Sequence, residues 1–197
     1  MSARIPPGYA EASVQFRLAS DPEPMLVSLG LALAIGVTPD VAVTNEIIDL
    51  MGDQFRLFVC DDYTIGAGWV TFGQDGPDDI RVDGTQNPQN GSIVSDPLPN
   101  NGALLVRKLT ALGGRRHRGR MFVPGIASGV VSGNGNVATA TVNVAQAAMN
   151  TMLTGLTGLA SLTGAALLHN SAPFNPTEIS SFVVVPKIAT QRRRLRP

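Results

Sequence analysis

The sequence predicts an α+β fold, in which a mostly antiparallel sheet carries two helices packed on one face. Three observations lead to this prediction. Short runs rich in β-branched and aromatic residues recur along the chain, and two longer segments repeat their apolar residues at helical spacing. Glycine and proline, 21 and 14 of the 197 residues, supply the frequent turns that short strands need. A β-sandwich of the jelly-roll kind is the alternative, because strands and turns outnumber helical segments.

The chain opens with a predicted arm and a hairpin. Residues 1–12 contain two adjacent prolines and no apolar period, which is typical of an N-terminal arm. Residues 13–19 alternate apolar and polar side chains, as a half-buried strand does. The apolar run 25–35 is compatible with a strand or a short buried helix, and the hairpin that it would form with 13–19 favours the strand.

A helix is predicted over residues 39–51. Thr38 can cap its first turn, Pro39 suits the first helical position, and Asp40 favours the positive end of the helix dipole. Gly52 supplies a C-terminal stop. The apolar residues of this segment recur at helical spacing, at Val43, Ile47, Leu50 and Met51.

Two strands and a long loop are predicted next. Residues 54–60 and 63–72 are rich in residues that favour strands, and Gly66 and Gly68 indicate a bulge or a close backbone approach. Residues 73–101 hold five aspartates, four glycines and four prolines but few large apolar residues. We therefore expect a long surface loop that a partner orders.

The second half of the chain predicts one helix and four short strands. A glycine- and arginine-rich turn, residues 113–120, joins the first two strands. The helix is predicted over 139–162, where Gly155 and Gly158 each weaken it by up to ~1 kcal/mol. Pro186 ends the last strand or marks a sheet edge. The four strands are predicted at 103–109, 121–123, 165–169 and 181–185.

These elements form one predicted domain, residues 13–190, between the arm 1–12 and a basic C-terminal tail, 191–197. Charged residues make up 15% of the chain, below the roughly 25% of a typical domain, and the formal net charge is zero. Residues 1–100 carry 14 acidic and 4 basic side chains, whereas residues 101–197 carry 1 acidic and 11 basic side chains. Such a split favours pairing within one molecule or between copies.

Motifs for chemistry are missing from the sequence. The single cysteine, Cys60, forms no intramolecular disulfide and is expected to be buried as a small apolar residue. The apolar runs are too short for a transmembrane helix, and no signal peptide is indicated. The aspartates lack calcium-loop spacing, and two histidines with one cysteine give no zinc ligand set. Without a nucleophile elbow, phosphate loop or dinucleotide fingerprint, we predict no enzyme activity, cofactor or metal site.

Two arginine clusters are the candidate subunit-interface residues. Guanidinium groups bind carboxylates and phosphates bidentately. The clusters could pair with carboxylates of the same or a neighbouring molecule, contact nucleic acid, or form a solvated face. The acidic first half favours carboxylate pairing, with the Asp-rich loop 73–96 as the reciprocal surface, and sparse aromatic residues count against base stacking. The clusters are Arg115, Arg116, Arg118 and Arg120, and Arg192, Arg193, Arg194 and Arg196.

The second half resembles virion proteins of tailed bacteriophages over roughly residues 98–195. One shared motif is Gly114-Arg-Arg-His-Arg-Gly-Arg-Met-Phe-Val-Pro-Gly125, preceded by Pro99-Asn-Asn-Gly-Ala-Leu-Leu-Val106. The other is Thr190-Gln-Arg-Arg-Arg-Leu195, and a helix lies between the motifs in those proteins as predicted here. Met121 departs from the pattern, which has an aromatic residue after the last arginine pair.

The resemblance implies a structural part of a virion, assembled in the host cytoplasm. The role that it favours is a capsid cement or decoration protein, a homo-oligomer that clasps the major capsid protein or other virion subunits and contacts no membrane. A neck or tail structural protein is one alternative, and a nucleic-acid-binding protein inside the particle is another.

Overall fold

The computed structural model describes residues 5–19, 24–94, 101–112, 115–127, 139–166 and 182–187. Over these residues the fold is α+β, with mostly antiparallel sheet and two helices, as the sequence predicts. The helices are α1 (Val41–Phe55) and α2 (Thr139–Gly158). The strands are β1 (Tyr9–Leu18), β2 (Met25–Leu33), β3 (Tyr63–Phe72), β4 (Ile80–Asp83), β5 (Gln89–Asn90), β6 (Asn101–Leu112), β7 (Arg115–Ala127), β8 (Leu162–Ala166) and β9 (Phe182–Lys187).

The first sheet has the strand order β4-β3-β1-β2-β8, and β5 also pairs with β3. Its strand pairings are antiparallel. β1 and β2 form the predicted hairpin, with Tyr9 opposite Ala32 and Phe16 opposite Met25. The apolar run that begins at Met25 is therefore a strand and not a buried helix.

The N-terminal arm is shorter than the sequence predicts. β1 begins at Tyr9, so the last four residues of the predicted arm belong to the sheet. Ala10 and Ala12 are buried in the core and continue the inward alternation of the strand, but alanine is too small to dominate a hydropathy pattern. Upstream, the Ile5 amide donates to Asp79 Oδ2 at 3.3 Å, which attaches this segment to its own chain.

Asp40 caps α1. Its side chain accepts a hydrogen bond from the Val43 amide at 2.8 Å. A carboxylate at this position satisfies an amide of the first turn that has no partner inside the helix. The predicted cap, Thr38, is therefore wrong by two residues.

Gly52 does not end α1, although the sequence predicts a stop there. Its lack of a side chain lets α1 approach β3, because a Cβ at Gly52 would lie 3.0 Å from the Gly66 Cα. The strand predicted over residues 54–60 is also wrong, since α1 continues to Phe55 and a turn follows. Phe55 and Phe58 are buried, so the aromatic signal there reflects core packing and not strand pairing.

The hydrophobic core lies between the first sheet and the two helices. The Phe55 ring packs edge-on against Phe16 at 5.2 Å and against Phe58 at 6.0 Å, measured between ring centroids. Residues of β1, β2 and β3 face residues of both helices in this one cluster, so the helices share a face of the sheet. Other members are Leu29, Leu31, Ile47, Ile48, Met51, Ile65, Phe72, Met149, Met152 and Leu156.

β3 has the bounds that the sequence predicts, and its glycines mark a close approach to β1. The register between β1 and β3 shifts between Val14 and Phe16. At Gly68 an added Cβ would lie 1.9 Å from the Ser13 carbonyl oxygen. Gly66 has a φ of 105°, which side chains rarely adopt. The predicted bulge or close approach at these glycines is confirmed.

Residues 73–94 do not form the predicted loop 73–101, of which positions 95–100 lie outside the described residues and residue 101 begins β6. β4 and β5 pair with β3 and cover its outer edge. We call residues 84–93 the strap, because they run from β4 along α1. The Asn45 side chain donates from Nδ2 to the Thr85 hydroxyl at 2.7 Å, and its Oδ1 accepts from the Thr85 backbone amide at 2.9 Å. The chain itself therefore orders this segment, through strand pairing and polar contacts that composition does not reveal.

The second sheet has the order β7-β6-β9 and is also antiparallel. The predicted arginine-rich turn is wrong, because residues 115–120 pair with β6 and belong to a strand. β7 also continues through Pro124 and Gly125, beyond the predicted strand 121–123. The β6–β7 ribbon, with strands of 12 and 13 residues, shows that pairing across a long hairpin overrides local turn propensity.

The remaining elements differ from the predictions mainly at their ends. α2 ends at Gly158 and not at residue 162, as expected for a helix weakened by glycine. β8 begins three residues before the predicted strand 165–169, whose last three residues lie outside the described part of the chain. Pro186 lies opposite Leu104 in the edge strand β9, so the predicted sheet edge is confirmed. The two sheets meet where β7 approaches β2, and β9 approaches α2.

Candidate functional site

The structure places the first arginine cluster on β7. Positions 116, 118 and 120 alternate along the strand and pair with positions 111, 109 and 107 of β6. Alternate positions of a strand, and positions paired across a ladder, belong to the same face. By this register, positions 107, 116, 118 and 120, all of them arginines, lie on one face of the two strands. The second cluster, Arg192, Arg193, Arg194 and Arg196, lies outside the described residues.

The charge asymmetry of the sequence coincides with the division into two sheets. β6, β7 and β9 together carry seven lysines and arginines and no aspartate or glutamate. Residues 5–19 and 24–94, which form β1 to β5 and α1, carry eleven acidic and three basic residues. Among the described residues, the opposite charges of the two halves are thus carried by different layers of the fold. We call β6 and β7 the basic ribbon.

The outer face of α1 is acidic. Glu46, Asp49 and Asp53 are exposed and follow one another at spacings of three and four residues. The helix contains no lysine or arginine. Partial burial and the nearby Asp53 charge raise the pKa of Asp49. The two carboxylates therefore repel each other at neutral pH, and a cation beside them would relieve that repulsion. We call these three residues the acidic face.

The strap fixes one side of the acidic face. Gln89 Nε2 donates to Asp53 Oδ1 at 3.1 Å, and Arg56 donates to Gln89 Oε1 at 2.6 Å. Near the start of α1, the side-chain Nε2 of Gln86 donates to the backbone carbonyl oxygen of Asn45. These contacts hold the helix and the strap as one surface, so the carboxylates of the acidic face have a defined arrangement.

Arg81 is stacked on Trp69 at the edge of the first sheet. Its guanidinium carbon lies 3.8 Å from the indole ring centroid, and its Nη2 lies 2.7 Å from Asp83 Oδ1. The Arg81 and Asp83 side chains are 53% and 70% exposed, so this is a surface arrangement in which both charges have partners. Sequence reasoning missed it, although the alternation of polar residues along β3 and β4 is the signal that could have indicated it.

The predicted reciprocal surface, residues 73–96, is partly used within the chain. Asp79 accepts from the Ile5 amide and Asp83 pairs with Arg81, whereas Asp75 and Asp78 are exposed in the turn between β3 and β4. Among the described side chains, no three of the types histidine, cysteine, aspartate and glutamate are grouped so that they could hold a metal ion. No described helix combines the length and apolar character needed to cross a membrane.

Cys60 is buried, as the sequence predicts. Burial, with the charges of Asp62 and Asp61, raises the pKa of its thiol to about 12. A thiol held neutral in this way is a poor nucleophile, because the thiolate is the reactive form.

No protein-family model, no curated protein and no solved structure matches the chain. The resemblance over residues 98–195 therefore stays a prediction. The arrangement of charge in this chain is the basis on which a function can be argued.

Proposed function

We propose that this protein is a structural component of a tailed-phage virion, a capsid cement or decoration protein that clasps neighbouring subunits. The observation that carries the proposal is the separation of charge between the basic second sheet and the acidic layer formed by the first sheet and α1. Opposite charges in different layers of one subunit complement the surfaces of adjoining copies. Guanidinium–carboxylate hydrogen bonds give such contacts direction.

In a capsid shell, ion pairs that are individually weak are repeated at every contact between subunits. An exposed ion pair contributes about 0–1 kcal/mol, so a single arginine would not hold two subunits together. The four arginines of β7, repeated in every copy, form many contacts at the high effective concentration of a lattice. A clustered arrangement of charge in a chain with few charged residues is suited to this role.

The virion setting comes from the residues that resemble virion proteins. The first shared motif falls largely on the basic ribbon, which is a regular two-stranded element and not a loop. In the cement role, this ribbon contacts the major capsid protein or further copies of the chain. A neck or tail protein would use the same contacts at another position in the particle.

Immunogold labelling of purified particles tests this proposal. Particles produced from the genome that encodes the chain should contain the protein after density-gradient purification, and gold should bind over the shell. A cytosolic protein from the same lysate, followed through the gradient, controls for contamination. Gold confined to the neck or tail would replace the cement role with the tail role. Absence of the protein from purified particles would refute a virion role.

The seven basic residues of the second sheet also favour a second candidate, a nucleic-acid-binding protein inside the particle. Lysine and arginine bind phosphates without regard to sequence, and each neutralised phosphate contributes about −0.9 to the slope of log affinity against log salt. This candidate predicts that the purified protein retains duplex DNA at low salt and releases it as salt rises. Failure to retain DNA at low salt would exclude it.

A further inference from the structure

The outer face of α1 is available for contacts with another molecule. α1 packs against β1, β3, β4 and α2, and its buried side chains point into the core. Its exposed carboxylates belong to the acidic face, which the strap holds in place through Gln89 and Asp53. The acidic face thus presents three carboxylates, with Asp53 held by Gln89, and a cationic partner of matching dimensions would complement it.

The basic ribbon has those dimensions. A helix rises about 1.5 Å per residue, so Asp49 and Asp53 are separated by about 6 Å along the axis of α1. A strand rises about 3.4 Å per residue, so positions 116 and 118, and again 118 and 120, are about 7 Å apart. Two successive arginine positions can therefore meet Asp49 and Asp53. The ribbon contains no acidic residue and α1 contains no basic residue, so the formal charges of the two elements are opposite in sign.

We propose that the basic ribbon of one copy docks along the acidic face of α1 in a second copy of this chain. The inference rests on the proposed function, because it names the surface through which copies associate. The contact is heterologous: each copy offers its ribbon to one neighbour and its helix to another. Copies joined in this way form a ring if the rotation closes and an open chain if it does not.

Charge reversal on each side of the contact tests this inference. Sedimentation velocity should show that the wild-type protein self-associates at low salt and dissociates as salt rises. Two double variants reverse the charge of one side: Asp49→Lys with Asp53→Lys, and Arg116→Glu with Arg118→Glu. Each should raise the association midpoint, the protein concentration at which half of the copies are associated, by about tenfold or more, because like charges then lie opposite each other. An equimolar mixture of the two variants should associate again, since every helix then meets a ribbon of opposite charge.

Asp75→Lys with Asp78→Lys is the matched control, because it makes the same charge change at exposed aspartates of residues 73–96, and it thereby distinguishes the acidic face of α1 from the reciprocal surface that the sequence predicts. This variant should associate as the wild type does. If it loses association as the α1 variant does, or if the mixture fails to associate, the docking site is refuted. Circular dichroism and thermal melting check folding. If a lysine variant does not fold, Asp49→Asn with Asp53→Asn should weaken association by a smaller factor, and an unchanged midpoint would refute the site.

The outcome is separable from that of the proposed function. A wild-type protein that stays monomeric at low salt would refute self-docking, whatever the particles show. If gold binds over the shell but the purified protein is monomeric, the cement role is supported and the α1 contact is refuted. If charge reversal on α1 weakens self-association but purified particles lack the protein, the α1 contact is supported and the virion role is refuted.

Discussion

Gly68 illustrates how a single residue sets the pairing of the first sheet. The Ser13 carbonyl oxygen occupies the space that a side chain would need, at 1.9 Å from the ideal Cβ position. The obstacle is backbone, which cannot rotate away as the end of a flexible side chain could. The position is therefore restricted to glycine by packing, whereas Gly66 is restricted by its φ of 105°.

Gly68→Ala should lower the free energy of unfolding by about 2–3 kcal/mol, because the added methyl group forces β1 and β3 apart. Urea denaturation measures this change. Gly76→Ala is the control, since Gly76 lies in an exposed turn and an added Cβ there meets nothing within 4 Å. Equal stability of the two variants would contradict the close approach of β1 and β3.

Cys60 should react with thiol reagents only after the protein unfolds. Its folded pKa, about 12, lies above that of an unfolded thiol, so the folded state favours the neutral form. The stability that the neutral Cys60 thiol contributes is fully present below the pKa of the thiol in the unfolded chain, and it is lost as the pH rises toward about 12. Labelling at pH 8 should be slow in buffer and fast in urea, and fast labelling of the folded protein would contradict the assignment.

The strap and α1 stabilise each other at the element scale. The strap contains one short strand, β5, and depends on side chains of α1 for much of its polar bonding. α1 in turn acquires a fixed neighbour beside its acidic face. The composition of this segment predicts a loop because the contacts that order it come from residues such as Asn45, about forty positions earlier in the chain.

Asn45→Ala should release the N-terminal part of the strap and lower the free energy of unfolding by about 1–2 kcal/mol, since two hydrogen bonds to Thr85 are lost. Hydrogen exchange should become faster at residues 84–88 and stay slow in β1. Asp49→Ala is the control on the same helix, and it should stabilise the protein slightly by removing a like-charge neighbour of Asp53. Unchanged exchange in the strap would contradict the role of Asn45.

The elements that the sequence predicts well are those whose periodicity is strong and local. β3, the β1–β2 hairpin and α1 have clear apolar patterns, although the ends of α1 differ from those predicted. Residues 115–120 were misassigned because glycine and arginine favour turns locally, whereas pairing with β6 is a non-local interaction. Positions 54–60 were misassigned because aromatic residues signal burial in a helix or turn as readily as in a strand.

At the scale of the whole molecule, the two sheets have different tasks. The first sheet and both helices enclose the core, and the second sheet concentrates positive charge. The sequence revealed the opposite charges of the two halves, but not that they belong to separate layers. The sequence also does not single out the acidic face of α1, because three carboxylates at helical spacing are typical of an ordinary solvated surface.

Pro186 has a consequence for how the second sheet can extend. Proline has no amide hydrogen, and within a sheet it is accommodated where that missing donor is turned away from the paired strand. The edge of β9 that does not pair with β6 therefore has an incomplete row of donors. Lateral pairing with a foreign strand is disfavoured along this edge, which limits edge-to-edge aggregation of the protein.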